Sequence, residues 1–318
     1  MTMDTLHPSL NERAHCALCQ AMAAVNASAP ARLAPANPGR RLFTGALLAS
    51  GLGAAVTARA QQNPPREGVD VGRTSGFARV VSAEQVEQAA AQQYRQMMRE
   101  AEAQKALGGP QHPQVVRLRF IADRMIPHAH PWNARARQWQ WEINLIGSKQ
   151  INAFCMPGGK IAFYTGILQQ LKLTDDEVAM IMGHEMAHAL REHARERMGK
   201  TAATRVGASL LSSLLGLGGA GDMVLGMGTQ LLTLKFSRED ESEADLVGLD
   251  LGARTGYDPR AGVSLWNKMM EASKGAPPQF LSTHPAGTAR IREIESVLPR
   301  VLPLYERASR PPRRFQPA

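Results

Sequence analysis

Apolar residues recur at helical spacing along most of the chain, and only three short stretches read as strands. Ser82-Ala83-Glu84-Gln85 opens a helical pattern that reaches about Leu107. A second runs from Pro113 to about Met125, with Val115, Val116, Leu118, Ile121 and Ala122 on its apolar side, until Pro127 and Pro131 stop it. Gln140 to Ile146 alternates loosely, while Ile151–Phe154 and Lys160–Tyr164 flank Met156-Pro157-Gly158-Gly159, a pattern that predicts a hairpin or a bulged turn in a small sheet. Gly166 to Leu171 predicts a short helix.

Thr174-Asp175-Asp176-Glu177 is a helix start: Thr174 caps the first turn, Glu177 holds the reciprocal position, and the acids face the positive end. This helix is expected to continue to about Met198, with Arg191, Arg195, Arg197 and Lys200 near its end. Residues 206–234 hold one charge, Asp222, and the uncharged run 206–221 is 16 residues, short of the ~20 that a bilayer crossing needs. The segment reads as a helical hairpin that packs over the core or also rests on a membrane or membrane protein. Further helices are expected from Ser237 to near Gly256, from Pro259 to Ser273 and from Arg290 to Leu298, with no solenoid repeat after them.

At 318 residues, 44% hydrophobic and 20% charged, the chain is neither a disordered protein nor one wholly embedded in a membrane. The net charge of +9 suits a nucleic acid or an anionic lipid surface, but no compact basic patch interleaved with aromatics appears, which sets nucleic acid aside as a partner. Part of the excess is N-terminal. Arg40-Arg41-Leu42-Phe43, a weakly apolar run from Gly45 to Val56 and Ala58-Arg59-Ala60 form an n-region, an h-region and a cleavage site. The pattern resembles a twin-arginine signal, with a general secretory signal as the alternative, and either implies export to the periplasm. Cleavage after Ala60 leaves Cys155 as the sole cysteine, so no intramolecular disulfide forms. The expected organisation is a leader over 1–60, a linker over 61–80, a catalytic domain over 81–300 and a basic Pro/Arg-rich tail over 301–318.

His184-Glu185-Met186-Ala187-His188 carries the chemistry. Spacing i, i+4 puts both imidazoles on one helix face, where they can grip one ion. Glu185 then reaches a water on that ion and acts as general base. Val178, Ile181, Met182 and Gly183 make the helix start apolar, so the histidines should be buried. A catalytic zinc needs a third protein ligand, and Glu241 on a separate helix is the candidate. Asp245 lies on the same face and can accept the outer N–H of a ligating histidine. Glu243 is a chemically legal alternative that points elsewhere on the helix. His193 should be carried away from the ion by the continuing helix, as a surface or outer residue. The intervening glutamate favours zinc over iron.

His184–His188, the run Ser237 to Asp245, Asn152-Ala153-Phe154-Cys155-Met156-Pro157-Gly158-Gly159, Phe280–Pro285 and Arg290-Ile291 together resemble the zinc metallopeptidases related to the CAAX prenyl proteases. Within these the resemblance is to the soluble periplasmic BepA/LoiP-like quality-control branch. It implies an α+β fold: a mostly helical zincin-type domain with a small sheet, a motif helix and a third ligand on another helix. It implies one zinc ion on His184, His188 and Glu241, Glu185 as base and Asp245 ordering a ligand. The segment Asn152, Ala153, Phe154, Pro157, Gly158 and Gly159 would form an edge along which an extended, unfolded or misfolded polypeptide lies. Cys155 is expected in the core. His284 either approaches the metal, as oxyanion stabiliser or brake, or fixes the turn before the Arg290 helix. Arg290 either balances the acids or binds a substrate carbonyl. No stable partner is implied. A periplasmic holdase or scaffold with a structural zinc is the rival reading, with 206–234 as its client surface.

Overall fold

The computed structural model describes residues 67–204, 231, 234–275, 278–285 and 287–318. The expected leader over 1–60 and almost all of the expected hairpin over 206–234 lie outside the described residues. Among the described residues no helix is long and apolar enough to cross a membrane.

The elements in order are α1 (Ala83–Ala103), α2 (Pro113–Met125), β1 (Glu142–Ile146), β2 (Ala153–Met156), β3 (Lys160–Tyr164), α3 (Thr165–Gln170), α4 (Asp175–Leu190), α5 (His193–Thr204), α6 (Arg238–Arg254), α7 (Ala261–Ala272), α8 (Gln279–Thr283) and α9 (Thr288–Arg307). Among the described residues the fold is mostly helical with one small sheet, ordered β1-β3-β2. β1 runs parallel to β3, and β2 returns antiparallel to it with Ala153 opposite Phe163 and Met156 opposite Lys160. Gly158 and Gly159 make the turn at φ 84° and 76°, a left-handed conformation that side chains resist. A Cβ on Gly159 would also sit 2.7 Å from the Trp141 ring. β2 therefore takes an edge of the sheet, beside α4.

α4 is capped as its sequence predicts. The Thr174 hydroxyl accepts the Glu177 N–H at 3.3 Å, and the Glu177 carboxylate accepts the Thr174 N–H at 2.8 Å. Beneath that end Arg117, fully buried, donates Nε to Asp175 Oδ1 at 2.7 Å and Nη2 to the Leu173 carbonyl at 2.7 Å. Val178, Ile181, Met182, Met186 and Leu190 are buried in the main core, with Leu118, Ile121 and Met125 of α2 and Val247 and Leu251 of α6. α4 and α6 meet through glycine. A Cβ at Gly183 would lie 2.7 Å from the Gly248 carbonyl, and one at Gly248 would lie 2.7 Å from the His184 amide nitrogen.

Three element ends differ from the sequence reading. α4 stops at Leu190 rather than near Met198: Arg191 caps it and Glu192 takes φ 60°. α5 then starts afresh at His193. The charge pattern across 191–200 suits one helix or two, and nothing in it marks a non-glycine residue in the left-handed region. α1 ends at Ala103, short of Leu107, which forms an isolated bridge with Ile146. α9 runs to Arg307 through Pro299 and Pro303, past the stop read at Leu298. Buried Ile294, Val297, Val301 and Leu304 hold it against the core despite the two missing N–H donors. The chain then returns over the start of α4, where the Phe315 N–H meets Asp175 Oδ2 at 2.8 Å and its ring lies 5.5 Å from Phe120.

Candidate metal centre

α4 delivers His184, Glu185 and His188, and each is at most 3% exposed. One turn separates the imidazoles, and their Nε2 atoms lie 3.1 Å apart. The glycine crossing brings the first turns of α6 alongside. Glu241 Oε2 stands 3.6 Å from His184 Nε2, and its Oε1 stands 3.5 Å from His188 Nε2. From the end of α8, His284 Nδ1 reaches within 3.3 Å of His184 Nε2 and 3.0 Å of Glu241 Oε1. These four buried groups each offer a ligand atom, all within 4.8 Å of one another.

Tetrahedral zinc with bonds of ~2.0–2.1 Å separates neighbouring ligand atoms by about 3.3–3.4 Å. Five separations here, two taken to Glu241 Oε1 and one to its Oε2, run from 3.0 to 3.6 Å, close to those edges. Two imidazoles, a carboxylate and a third imidazole are also the donor types zinc takes. The residues fit one zinc ion.

Groups behind the ligands orient them. Asp245 Oδ1 lies 3.0 Å from His184 Nδ1 and also accepts the Trp266 indole N–H at 3.2 Å. Arg290 donates to both Asp245 oxygens at 2.7 Å and to Glu241 Oε2 at 2.6 Å, so it lies among the acids of the cluster. Burial alone would raise Asp245, but the Arg290 guanidinium and His184 outweigh it and hold the carboxyl at about 2. Burial works on Glu241 in the same direction, and His284, His184 and Arg290 reverse it, leaving that carboxyl low. Glu185 is the exception: burial dominates and its carboxyl is raised. Burial with the neighbouring imidazoles drives His188 well below the ordinary histidine range.

A cleft of about 640 Å³ opens onto this cluster, walled by Glu185, His188, Phe236, His284 and the edge strand from Asn152 to Pro157. Asn152, Ala153, Phe154 and Pro157 thus line it. Gly158 and Gly159 do not, because their α-carbons face Glu87 and Trp141. The Tyr164 N–H bonds the Asn152 carbonyl, so alternation along β2 turns the main-chain groups of Ala153 and Cys155 away from β3. The Ala153 N–H meets Asn152 Oδ1 at 3.0 Å, and the Cys155 N–H points to the Glu185 carboxylate. The Cys155 side chain is buried in the core, as expected.

His284 comes to the ligand cluster, which is its near-metal reading. His193 does not leave: its Nδ1 lies 2.9 Å from His188 Nδ1, because α4 breaks at Glu192 instead of continuing. Glu243 points away from the ligands, toward Arg191 and His193. Two aromatic rings pack on the ligands, Phe236 with no signal in the sequence and Phe280 from the motif before His284. Phe236 stacks on His188 at 3.9 Å between ring centres, and Phe280 stacks on His284 at 4.5 Å.

A buried His-Glu-X-X-His helix that meets a glutamate from a second helix defines a mononuclear zincin-type metal site. The model of Peptidase family M48 matches residues 116–298, more than half of the chain, and the chain belongs to that family. It is similar to the mitochondrial metalloendopeptidase OMA1 of Schizosaccharomyces pombe, 35% identical over 193 residues, covering 56% of each chain. It is also similar to the metalloprotease LoiP of Escherichia coli, 31% identical over 151 residues, covering 46% of this chain and 58% of LoiP. The beta-barrel assembly-enhancing protease of the same organism is 27% identical over 202 residues, covering 60% of this chain and 40% of that protein. The chain thus spans less than two thirds of the length of each of these relatives. The similarity extends beyond the periplasmic branch that the motifs resemble, to the mitochondrial proteins.

Proposed function

We propose that this chain is a zinc-dependent endopeptidase that hydrolyses peptide bonds in unfolded or misassembled proteins of the cell envelope. One observation carries the reading: Glu185, buried beside the ligand atoms on the wall of the cleft, keeps Oε1 without a hydrogen-bond partner. A buried carboxylate oxygen left unpaired is costly in a protein that has no use for it.

When bound, zinc supplies Lewis acidity that polarises a carbonyl and acidifies a water. His184, His188 and Glu241 would hold the ion. Asp245 fixes the His184 ring, and Arg290 fixes Glu241. Glu185 takes the proton of the attacking water at Oε1 and delivers it to the leaving amine. Its raised carboxyl suits both halves of that transfer. His284, with Nδ1 among the ligand atoms and Nε2 3.5 Å from Glu185 Oε1, would either steady the developing oxyanion or block the site until substrate arrives. H284A separates these roles, since the first lowers turnover and the second raises it.

The outward-facing main chain of Ala153 and the Cys155 carbonyl offer pairing to an extended peptide in the cleft, with the Asn152 side chain yielding the Ala153 amide to the substrate and the Cys155 N–H kept by Glu185. Pairing of this kind reads little of the side chains, which suits substrates defined by being unfolded. The names of the three relatives, a metalloendopeptidase, a metalloprotease and a protease, agree with hydrolysis. The leader read over 1–60 directs the protein to the periplasm, and the segment 206–234 is a candidate for peripheral membrane contact.

The test is metal removal with two readouts. Chelation should abolish casein cleavage, zinc should restore it, and the apo protein should remain folded by circular dichroism. A wild type that never cleaves but still prevents aggregation of a client, and that unfolds without zinc, is instead a holdase with a structural metal.

A further inference from the structure

Two of the ligands have evident outer partners: Asp245 for His184 and Arg290 for Glu241. His188 has one as well, and the motif does not contain it. We propose that His193 and Glu243, held by Arg191, form a positioning relay that fixes the tautomer and ring orientation of His188 and so raises the affinity of the site for zinc. This inference rests on the metal-site reading above.

The relay begins with backbone. In an unbroken helix, five residues turn a side chain by about 140° away from its starting face. Glu192 breaks α4 at φ 60°, and the restart at His193 brings that side chain back against the motif. His193 is 1% exposed, and its Nδ1 lies 2.9 Å from His188 Nδ1.

Donor and acceptor roles follow from which atom of His188 faces the ligand cluster. Nε2 does, at 3.1 Å from His184 Nε2, so the proton of a neutral ligating His188 sits on Nδ1. That N–H must donate, and His193 Nδ1 must accept. The proton of His193 is thereby placed on Nε2. The group facing Nε2 is an acceptor, Glu243 Oε2 at 3.5 Å. Nε2 is buried with no hydrogen bond, so a small closing movement of the half-buried Glu243 completes the chain. Glu243 is itself anchored by an ion pair to Arg191, whose Nη2 donates to the Gly72 carbonyl at 3.0 Å. Each assignment forces the next. Phe236, stacked on the face of the His188 ring, removes its remaining freedom.

Outer partners of zinc-bound histidines typically contribute about 10- to 100-fold in metal affinity. The experiment measures zinc affinity of the full chain by competition with a chromogenic chelator, for wild type, H193F, H193N and E243L. Cobalt-substituted visible spectra and apo-protein melting temperatures accompany each. H193F keeps the ring volume without the acceptor, and H193N restores an acceptor near the Nδ1 position. The expected result is zinc affinity weakened about 10- to 100-fold in H193F, a smaller loss in E243L, recovery toward wild type in H193N, and an altered cobalt spectrum in H193F alone. H193F binding zinc like wild type overturns the relay, as does a loss in H193N equal to that in H193F. Should H193F fail to fold, E243L and H193N decide: wild-type affinity in E243L, or H193N as weak as a zinc-ligand deletion such as H188A, overturns it. A wild type that binds no zinc defeats the metal-site reading and the relay with it.

Discussion

Gly183 and Gly248 touch where α4 crosses α6, and their contact sets how far Glu241 stands from the two motif histidines. The Gly248 α-carbon faces the His184 amide so closely that an added methyl would come within 2.7 Å of it, and backbone cannot swing aside as a side chain can. The third ligand is therefore brought in by the absence of two side chains.

Gly248→Ala should wedge the helices apart. The expected cost is about 1–3 kcal/mol of stability, the usual range for overpacking, with weakened zinc affinity because Glu241 retreats. Gly109, where a Cβ meets nothing within 4 Å, supplies the control: G109A should leave metal affinity unchanged. Equal zinc affinity in G248A and wild type would show that the crossing does not set the site.

Glu192 occupies the left-handed region at φ 60°, which costs an ordinary residue about 1–2 kcal/mol and a glycine almost nothing. E192G should stay near wild-type stability, the relieved backbone offsetting the lost ion pair with Arg195. E192V should melt lower by about 1–2 kcal/mol, because branching at Cβ resists that conformation. Denaturant unfolding of the two variants checks this, and equal stabilities would refute it.

The Glu177 carboxylate closes the capping box and accepts hydrogen bonds from Lys268 Nζ at 2.7 Å and Ser264 Oγ at 2.8 Å. Burial pushes its pKa up, but the Lys268 ammonium and the hydrogen bonds prevail and hold it below the ordinary value of 4.5. A carboxyl depressed on folding adds stability that is present above the unfolded pKa and disappears as pH falls through the folded one. E177Q should therefore melt below wild type at pH 7, and the gap should narrow below about pH 4.5. A gap independent of pH would assign the effect to shape rather than charge.

The His-Glu-X-X-His helix, its capping box, the turn between β2 and β3 and the approach of Glu241 to the two histidines were legible because each rests on local spacing. Thr174 and Glu177 signal a helix start three residues apart, and His184 and His188 declare a shared face. Glu241 needed only a second helix with Asp245 one turn on. The close approach of His193 to His188 was not legible for a physical reason: the break at Glu192 arises from a left-handed residue that is not glycine, and no local propensity announces it. Phe236 and Trp266 were invisible because their roles exist only after distant helices pack. The last helix was read as ending at Leu298, yet the buried face of α9 carries it on through Pro299.

The most direct test compares casein digestion by wild type and E185Q, with zinc content measured on the same samples. Equal zinc in both proteins with cleavage lost in E185Q is the expected result. Near-normal cleavage by E185Q would contradict a role for Glu185 in proton transfer, and with it the proposed hydrolysis.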